Sequence, residues 1–87
     1  MNLSEEIIAK AMEIYSDSLL NGKTRELRTI YTPLVLLAAS LYAACRIYEK
    51  PVNLGEISHF AQLDVQDRKK IVNSYRSMKK ELNLKIP

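Results

Sequence analysis

Apolar side chains recur at helical spacing near the start of the chain. Ile7, Ala11 and Ile14 fall on one side of a helix with 3.6 residues per turn. Ser4 precedes this run, where its hydroxyl can cap the first turn, and an Asn-Gly pair follows as a termination signal. The pattern therefore predicts a first helix over residues 4–20.

The middle of the chain predicts a helix that is apolar on nearly every side. Thr32 and Pro33 form its start signal, because proline has no N–H to leave unsatisfied at the first helical position. Over residues 35–45 the only polar groups are Ser40 and a tyrosine hydroxyl. Such a segment is typical of a buried central helix, here over residues 33–48, wrapped by its neighbours.

Two more helices are predicted in the C-terminal part. Asn53 has Glu56 three residues later, which is the spacing of a capping box, and predicts a short helix over 53–61. The last helix is predicted over 65–83, since apolar residues recur there at i, i+4, i+7 and i+11. The polar stretch 23–29, between the first two helices, is interpreted as a loop or a short irregular turn.

No segment alternates apolar and polar residues as a half-buried strand does, so the predicted fold class is all-α. The 87 residues, of which 47% are hydrophobic and 26% charged, indicate one folded domain spanning 1–87. The longest weakly polar run is too short to cross a bilayer, which predicts a soluble protein without a membrane partner.

Composition gives little support to an enzyme. The single histidine, His59, and the single cysteine, Cys45, lie on different predicted helices, and there is no Gly-rich phosphate loop. We therefore expect no catalytic residues, no cofactor and no metal, with Cys45 as a small core residue and His59 at the surface or its boundary. One cysteine forms no intrachain disulfide, which fits a reducing, intracellular setting.

Charge is distributed unevenly along the chain. The formal net charge is +3, but residues 1–21 hold one basic and four acidic side chains, whereas residues 22–87 hold twelve basic and six acidic ones. The order of a short capped helix, a turn and a longer basic amphipathic helix is typical of a helix-turn-helix. We therefore interpret the last helix as a DNA-binding element, whose contact residues are Arg68, Lys69, Lys70, Asn73, Arg76, Lys79 and Lys80.

A second basic point is predicted at Arg25 and Arg28, in the stretch between the first two helices. The alternative interpretation is that these residues belong to a solvated loop. In the same way, the lysines of the last helix could serve solubility alone, as on many proteins that never bind DNA.

Several segments resemble one known family. Residues 41–46, Leu-Tyr-Ala-Ala-Cys-Arg, are similar to the central-helix signature of archaeal and eukaryotic transcription factor B. Further similar segments are Pro51, Leu54-Gly55-Glu56-Ile57, Arg68-Lys69-Lys70-Ile71, Tyr75-Arg76 and the closing residues 81–87. The closing segment resembles the end of the first of the two cyclin-like repeats in archaeal members.

The resemblance implies a cyclin-box-like bundle of five helices around a buried central one. It also implies binding to double-stranded promoter DNA and TATA-binding protein, and help in recruiting RNA polymerase. The chain departs from the family in lacking the cysteines of the N-terminal zinc ribbon, a second repeat and the family's first helix, and in carrying Val72 where glycine is usual. Polymerase recruitment through the ribbon and specific readout of a promoter element are therefore not expected of this chain.

The leading prediction is a transcription initiation module that binds the DNA backbone and a transcription protein. It would act in the cytoplasm of an archaeon, or in the nucleus if the source is a eukaryote. The alternative is a cyclin-like protein-interaction module, or a homodimer, that binds no DNA. A third hypothesis is a competitor of full-length transcription factor B.

Overall fold

Three of the helices have an N-cap side chain that accepts a hydrogen bond at the position that the sequence predicts. The hydroxyls of Ser4 and Thr32 each accept a hydrogen bond from the N–H three residues later, at 3.2 and 3.3 Å. Asn53 Oδ1 accepts from the Glu56 N–H at 2.8 Å. Each bond satisfies one of the N–H groups that a helix start leaves without a partner in the helix.

The computed structural model describes residues 3–24 and 26–86. Its helices are α1 (Glu5–Leu20), α2 (Leu27–Ile30), α3 (Pro33–Ile47), α4 (Leu54–Phe60) and α5 (Asp67–Glu81). The described residues contain helices and connections but no strand, so the predicted all-α class is confirmed. Within these residues, no helix combines the length and the apolar character needed to cross a membrane.

The α3 helix lies at the centre of the bundle, as predicted for a cyclin-box-like fold. It packs mainly against α1 and α5, and more lightly against α4 and α2. Ala39, Ala43 and Ala44 have no exposed surface. Because alanine side chains are short, the neighbouring helices can approach α3 closely at these positions. Ser40, the buried polar residue of this helix, donates a hydrogen bond to the Leu36 carbonyl at 2.8 Å.

The stretch 23–29, predicted as a loop or a short irregular turn, contains the start of the four-residue helix α2. Leu27 is buried in the core, and this burial favours a turn of helix over a solvated loop. The buried Thr24 hydroxyl stabilises the approach to α2 by donating to the Ser18 carbonyl at 2.8 Å.

The last helix is shorter than the predicted 65–83. It begins at Asp67, whose carboxylate accepts the Asp64 N–H at 3.2 Å and so closes a turn before the helix. It ends at Glu81, because Asn83 adopts a positive φ of 54° and the Leu84 N–H bonds back to the Lys79 carbonyl. This arrangement is a common helix end.

The prediction that α3 is wrapped by its neighbours holds for most of the helix, which buries nine of its residues, but one side of it is open. Leu34 and Leu37 are 51% and 42% exposed. On the described part of the chain, the helices leave these leucines at an open depression with Phe60 of α4 and with Ile8 and Met12 of α1. We call this depression, defined by those five side chains, the apolar groove.

Candidate nucleic-acid interface

One face of α5 is exposed and basic. Its residues recur at i, i+4, i+7 and i+11 and all four are exposed: Lys69, Asn73, Arg76 and Lys80. We call this set the basic stripe. It extends for about 16 Å, given a rise of 1.5 Å per residue. The opposite face of α5 packs into the core through Ile71, Tyr75 and Met78, which fixes the direction in which the stripe points.

The other predicted contact residues of α5 lie to either side of the stripe. Lys70 is exposed and pairs with Asp67 at 3.5 Å, one turn earlier. Arg68 has its guanidinium beside the start of α4, where a Cβ on Gly55 would stand 3.2 Å from Arg68 Nη2. Lys79 is exposed and follows Tyr75 by one turn. The structure thus places all seven predicted residues on one helix, with three of them as flanks.

The second predicted basic point consists of Arg25 and Arg28. No contact between described residues joins it to the basic stripe. Arg28 is exposed on α2, which packs against α3. Arg25 lies outside the described residues. Lys23 does reach α5, but it pairs there with Glu81 at 3.8 Å.

Arg46 is a basic residue that the sequence reasoning left out of the site. Its guanidinium carbon lies 5.9 Å from the centre of the Tyr42 ring, which in turn contacts Tyr75 edge-on with ring centres 4.9 Å apart. A cation held over an aromatic face has fewer orientations to lose on binding an anion. The available signal was the i, i+4 spacing of Tyr42 and Arg46 in the central helix.

The ionisation of this cluster follows from its contacts. A hydrogen bond with Tyr42, helped by attraction to Tyr75, raises the pKa of the Arg46 guanidinium, which therefore stays charged. Burial raises the pKa of the Tyr75 phenol, against the opposing effect of Arg46. The cluster thus presents one positive charge beside α5 at neutral pH.

Residues suited to catalysis are not assembled on the described part of the chain. His59 is exposed on α4, and Cys45 is buried on α3. Across residues 3–24 and 26–86, no three His, Cys, Asp or Glu side chains come together in a way that could hold a metal ion.

Cys45 is expected to be inert in the folded protein. It has no exposed surface, and burial raises the pKa of its thiol, so the reactive thiolate is disfavoured. Iodoacetamide should label the native chain at least about a hundredfold more slowly than the chain unfolded in urea, because labelling requires opening of the core. Labelling at the rate of the unfolded chain would show that Cys45 is accessible.

The chain is similar to several curated proteins along all or nearly all of its length. The chain is 36% identical over 89 residues to the transcription initiation factor IIB of Aeropyrum pernix, covering all of this chain and 26% of that protein. Identity to the same factor of Ignicoccus hospitalis is 39% over 87 residues, covering 100% of this chain and 25% of the relative. For Pyrococcus furiosus the identity is 33% over 84 residues, with 97% and 26% covered.

No protein-family model and no solved structure matches the chain. The chain spans about a quarter of the length of the curated relatives it matches. Those relatives share one name and align with all or nearly all of this chain at 33–39% identity. The residues that suggested transcription factor B, the all-α fold around α3 and these alignments agree, and the chain is similar along its length to about a quarter of transcription initiation factor IIB.

Proposed function

We propose that the chain is a transcription initiation module that binds the backbone of promoter DNA through α5 and contacts a protein of the initiation machinery. The observation that carries the DNA contact is the basic stripe, which is exposed along its length. Among the described residues, the ion pairs on α5 involve Lys70 and Glu81, and none involves Lys69, Arg76 or Lys80. Their charges are therefore available to phosphates.

Counterion release supplies the driving force. Each cation that neutralises a phosphate releases a condensed counterion, so affinity falls with salt by about 0.9 logarithmic units per contact and per tenfold change. The stripe, its flanking residues Arg68 and Lys79, and Arg46 of α3 offer several such contacts. Phosphate contacts fix position and carry no sequence information directly, so we expect similar affinity for duplexes of different sequence.

The pairing of α4 with α5 as a helix-turn-helix is part of the proposal. The two helices are consecutive, and α4 is the short first helix of the pair. Residues 61–66 connect them, a longer link than the three or four residues usual in this motif. We therefore assign α5 to the backbone and not to base edges.

The protein partners are proposed from the resemblance and from the names of the relatives. TATA-binding protein is the first, with RNA polymerase as the second. The domain is assigned as the first cyclin-like repeat, and the location as intracellular, in the archaeal cytoplasm. We propose no enzymatic activity, because the relatives are named as transcription initiation factors.

A second candidate function is favoured by the apolar groove. A cyclin-like protein-interaction module, or a homodimer, would use this groove and leave the lysines as solubilising charges. Such a module could also compete with a full-length transcription factor B. It differs from the first proposal in predicting no affinity for DNA.

A gel-shift titration on a TATA-containing duplex tests the proposal. We expect the chain to shift the duplex weakly alone and more strongly with TATA-binding protein, and both shifts to weaken between about 50 and 200 mM salt. A duplex with a scrambled TATA element is the control for the assembled complex. The absence of a shift in every lane would contradict the proposal and favour the interaction module.

A further inference from the structure

We propose that the apolar groove binds a single amphipathic helix of a partner protein, with basic residues beside its apolar stripe. This inference deepens the partner contact of the proposed function and rests on it only in assuming that the chain has a protein partner. It does not depend on the DNA contact, because that contact uses the basic face of α5, whereas the groove lies on α1, α3 and α4.

The groove is continuous and apolar. Two adjoining depressions share Leu37, Leu41 and Phe60, and no charged side chain lines either of them among the described residues. The five side chains that define the groove are between 42% and 62% exposed. Half-exposed apolar side chains that adjoin each other across three helices form a surface that water solvates poorly, which is typical of an interaction site.

The size of the groove fits one helix better than a second copy of the chain. An aromatic side chain can bury about 150–250 Å², so five half-exposed side chains, of which only Phe60 is aromatic, offer on the order of 500 Å² or less. A standard interface buries about 800 Å² on each partner. One helix docks through anchors at i, i+3 or i+4, and i+7, which span about 10 Å. On α3, Leu34 and Leu41 are also seven residues apart, so the two lengths match.

The charges at the edges of the groove predict which side chains border the apolar stripe of the partner helix. Glu5 precedes Ile8 by three residues on α1, and Glu56 precedes Phe60 by four on α4, so each exposed glutamate is one helical turn from a groove residue. The Glu56 carboxylate also accepts a hydrogen bond from Asn53 Nδ2 at 3.2 Å. The lysine of α1, Lys10, pairs instead with Glu13 at 3.5 Å. Carboxylates at two edges favour lysine or arginine beside the apolar stripe of the partner and disfavour acidic flanks.

The test uses a fluorescein-labelled peptide of 16 residues with leucines at helical anchor positions and lysines beside them. Fluorescence anisotropy against the full chain should show saturable binding. A peptide with glutamates in place of the lysines should bind about tenfold more weakly or not at all, and a peptide with a central proline should not bind. Glu5→Gln should weaken the lysine peptide and not the glutamate peptide.

Matched variants locate the binding site. Met12→Ser with Phe60→Ser removes two groove anchors, and the control Leu20→Ser with Val65→Ser removes two side chains that are 83% and 70% exposed elsewhere. All four positions are exposed, so thermal unfolding should confirm that both variants fold. We expect about tenfold weaker binding for the groove variant and an unchanged affinity for the control.

Equal binding by both variants would overturn the inference, as would equal binding of the lysine and glutamate peptides. Sedimentation at several chain concentrations tests whether a second copy of the chain occupies the groove. Self-association that the groove variant abolishes would show a second copy to be the occupant and would also overturn the proposal. Because the peptide assay contains no DNA, a failed gel shift with successful peptide binding would separate the DNA proposal from this one.

Discussion

Replacing Leu36 by alanine is expected to lower the free energy of unfolding by about 2–5 kcal/mol. Leu36 lies on the central helix and is 1% exposed, so alanine would leave a cavity where α3 meets its neighbours. A small domain has only about 5–15 kcal/mol of stability in total, so the loss would be a large share of it. Urea denaturation followed by circular dichroism measures the change directly.

Leu34→Ala is the matched control on the same helix. It makes the same chemical change, but Leu34 is 51% exposed at the groove, so the expected loss is well under that of Leu36→Ala. Equal losses for the two variants would contradict the placement of α3. If Leu36→Ala does not fold, Leu36→Met, which conserves volume, should fold with a loss below about 1.5 kcal/mol.

Local signals explain why much of the fold could be predicted from the sequence. The caps at Ser4, Thr32 and Asn53 form hydrogen bonds between residues three apart, so each is visible in a short window of sequence. The central position of α3 follows from its lack of polar groups. The alternation of core and basic residues on α5 is equally local, and it predicted which side chains face solvent.

Features that depend on packing were missed. A short turn of helix at α2 is stabilised by burial of Leu27 and not by helix propensity, so the polar residues around it suggested a loop. An apolar helix does not reveal from its sequence which face lacks a neighbour, and the exposed side of α3 was therefore not predicted. The cluster around Arg46 required the ring contact of Tyr42 with Tyr75, 33 positions away along the chain.

Neutralising the basic stripe is expected to have the largest effect on DNA binding. In the variant Lys69→Gln, Arg76→Gln, Lys80→Gln, three phosphate contacts are lost, and the slope of log affinity against log salt should fall by about 2.7. At about 0.1 M salt this corresponds to roughly two to three orders of magnitude in affinity. The loss should be similar for duplexes of different sequence, because the contacts are to phosphates.

The control removes the same number of charges elsewhere: Lys10→Gln, Lys23→Gln, Lys85→Gln. Lys10 and Lys23 already pair with Glu13 and Glu81, and none of the three belongs to the basic stripe. Both triple variants change the net charge of the chain equally, so a difference between them reports on position. All six side chains lie outside the hydrophobic core, and both variants are expected to remain folded.

The most direct measurement is a fluorescence anisotropy titration of parent, stripe variant and control on one labelled duplex at four salt concentrations. In a plot of log affinity against log salt, we expect nearly coincident, parallel lines for parent and control, and a slope smaller by about 2.7 for the stripe variant. Equal slopes for the two triple variants would mean that net charge alone governs binding, and would contradict the claim that the exposed face of α5 holds the DNA backbone.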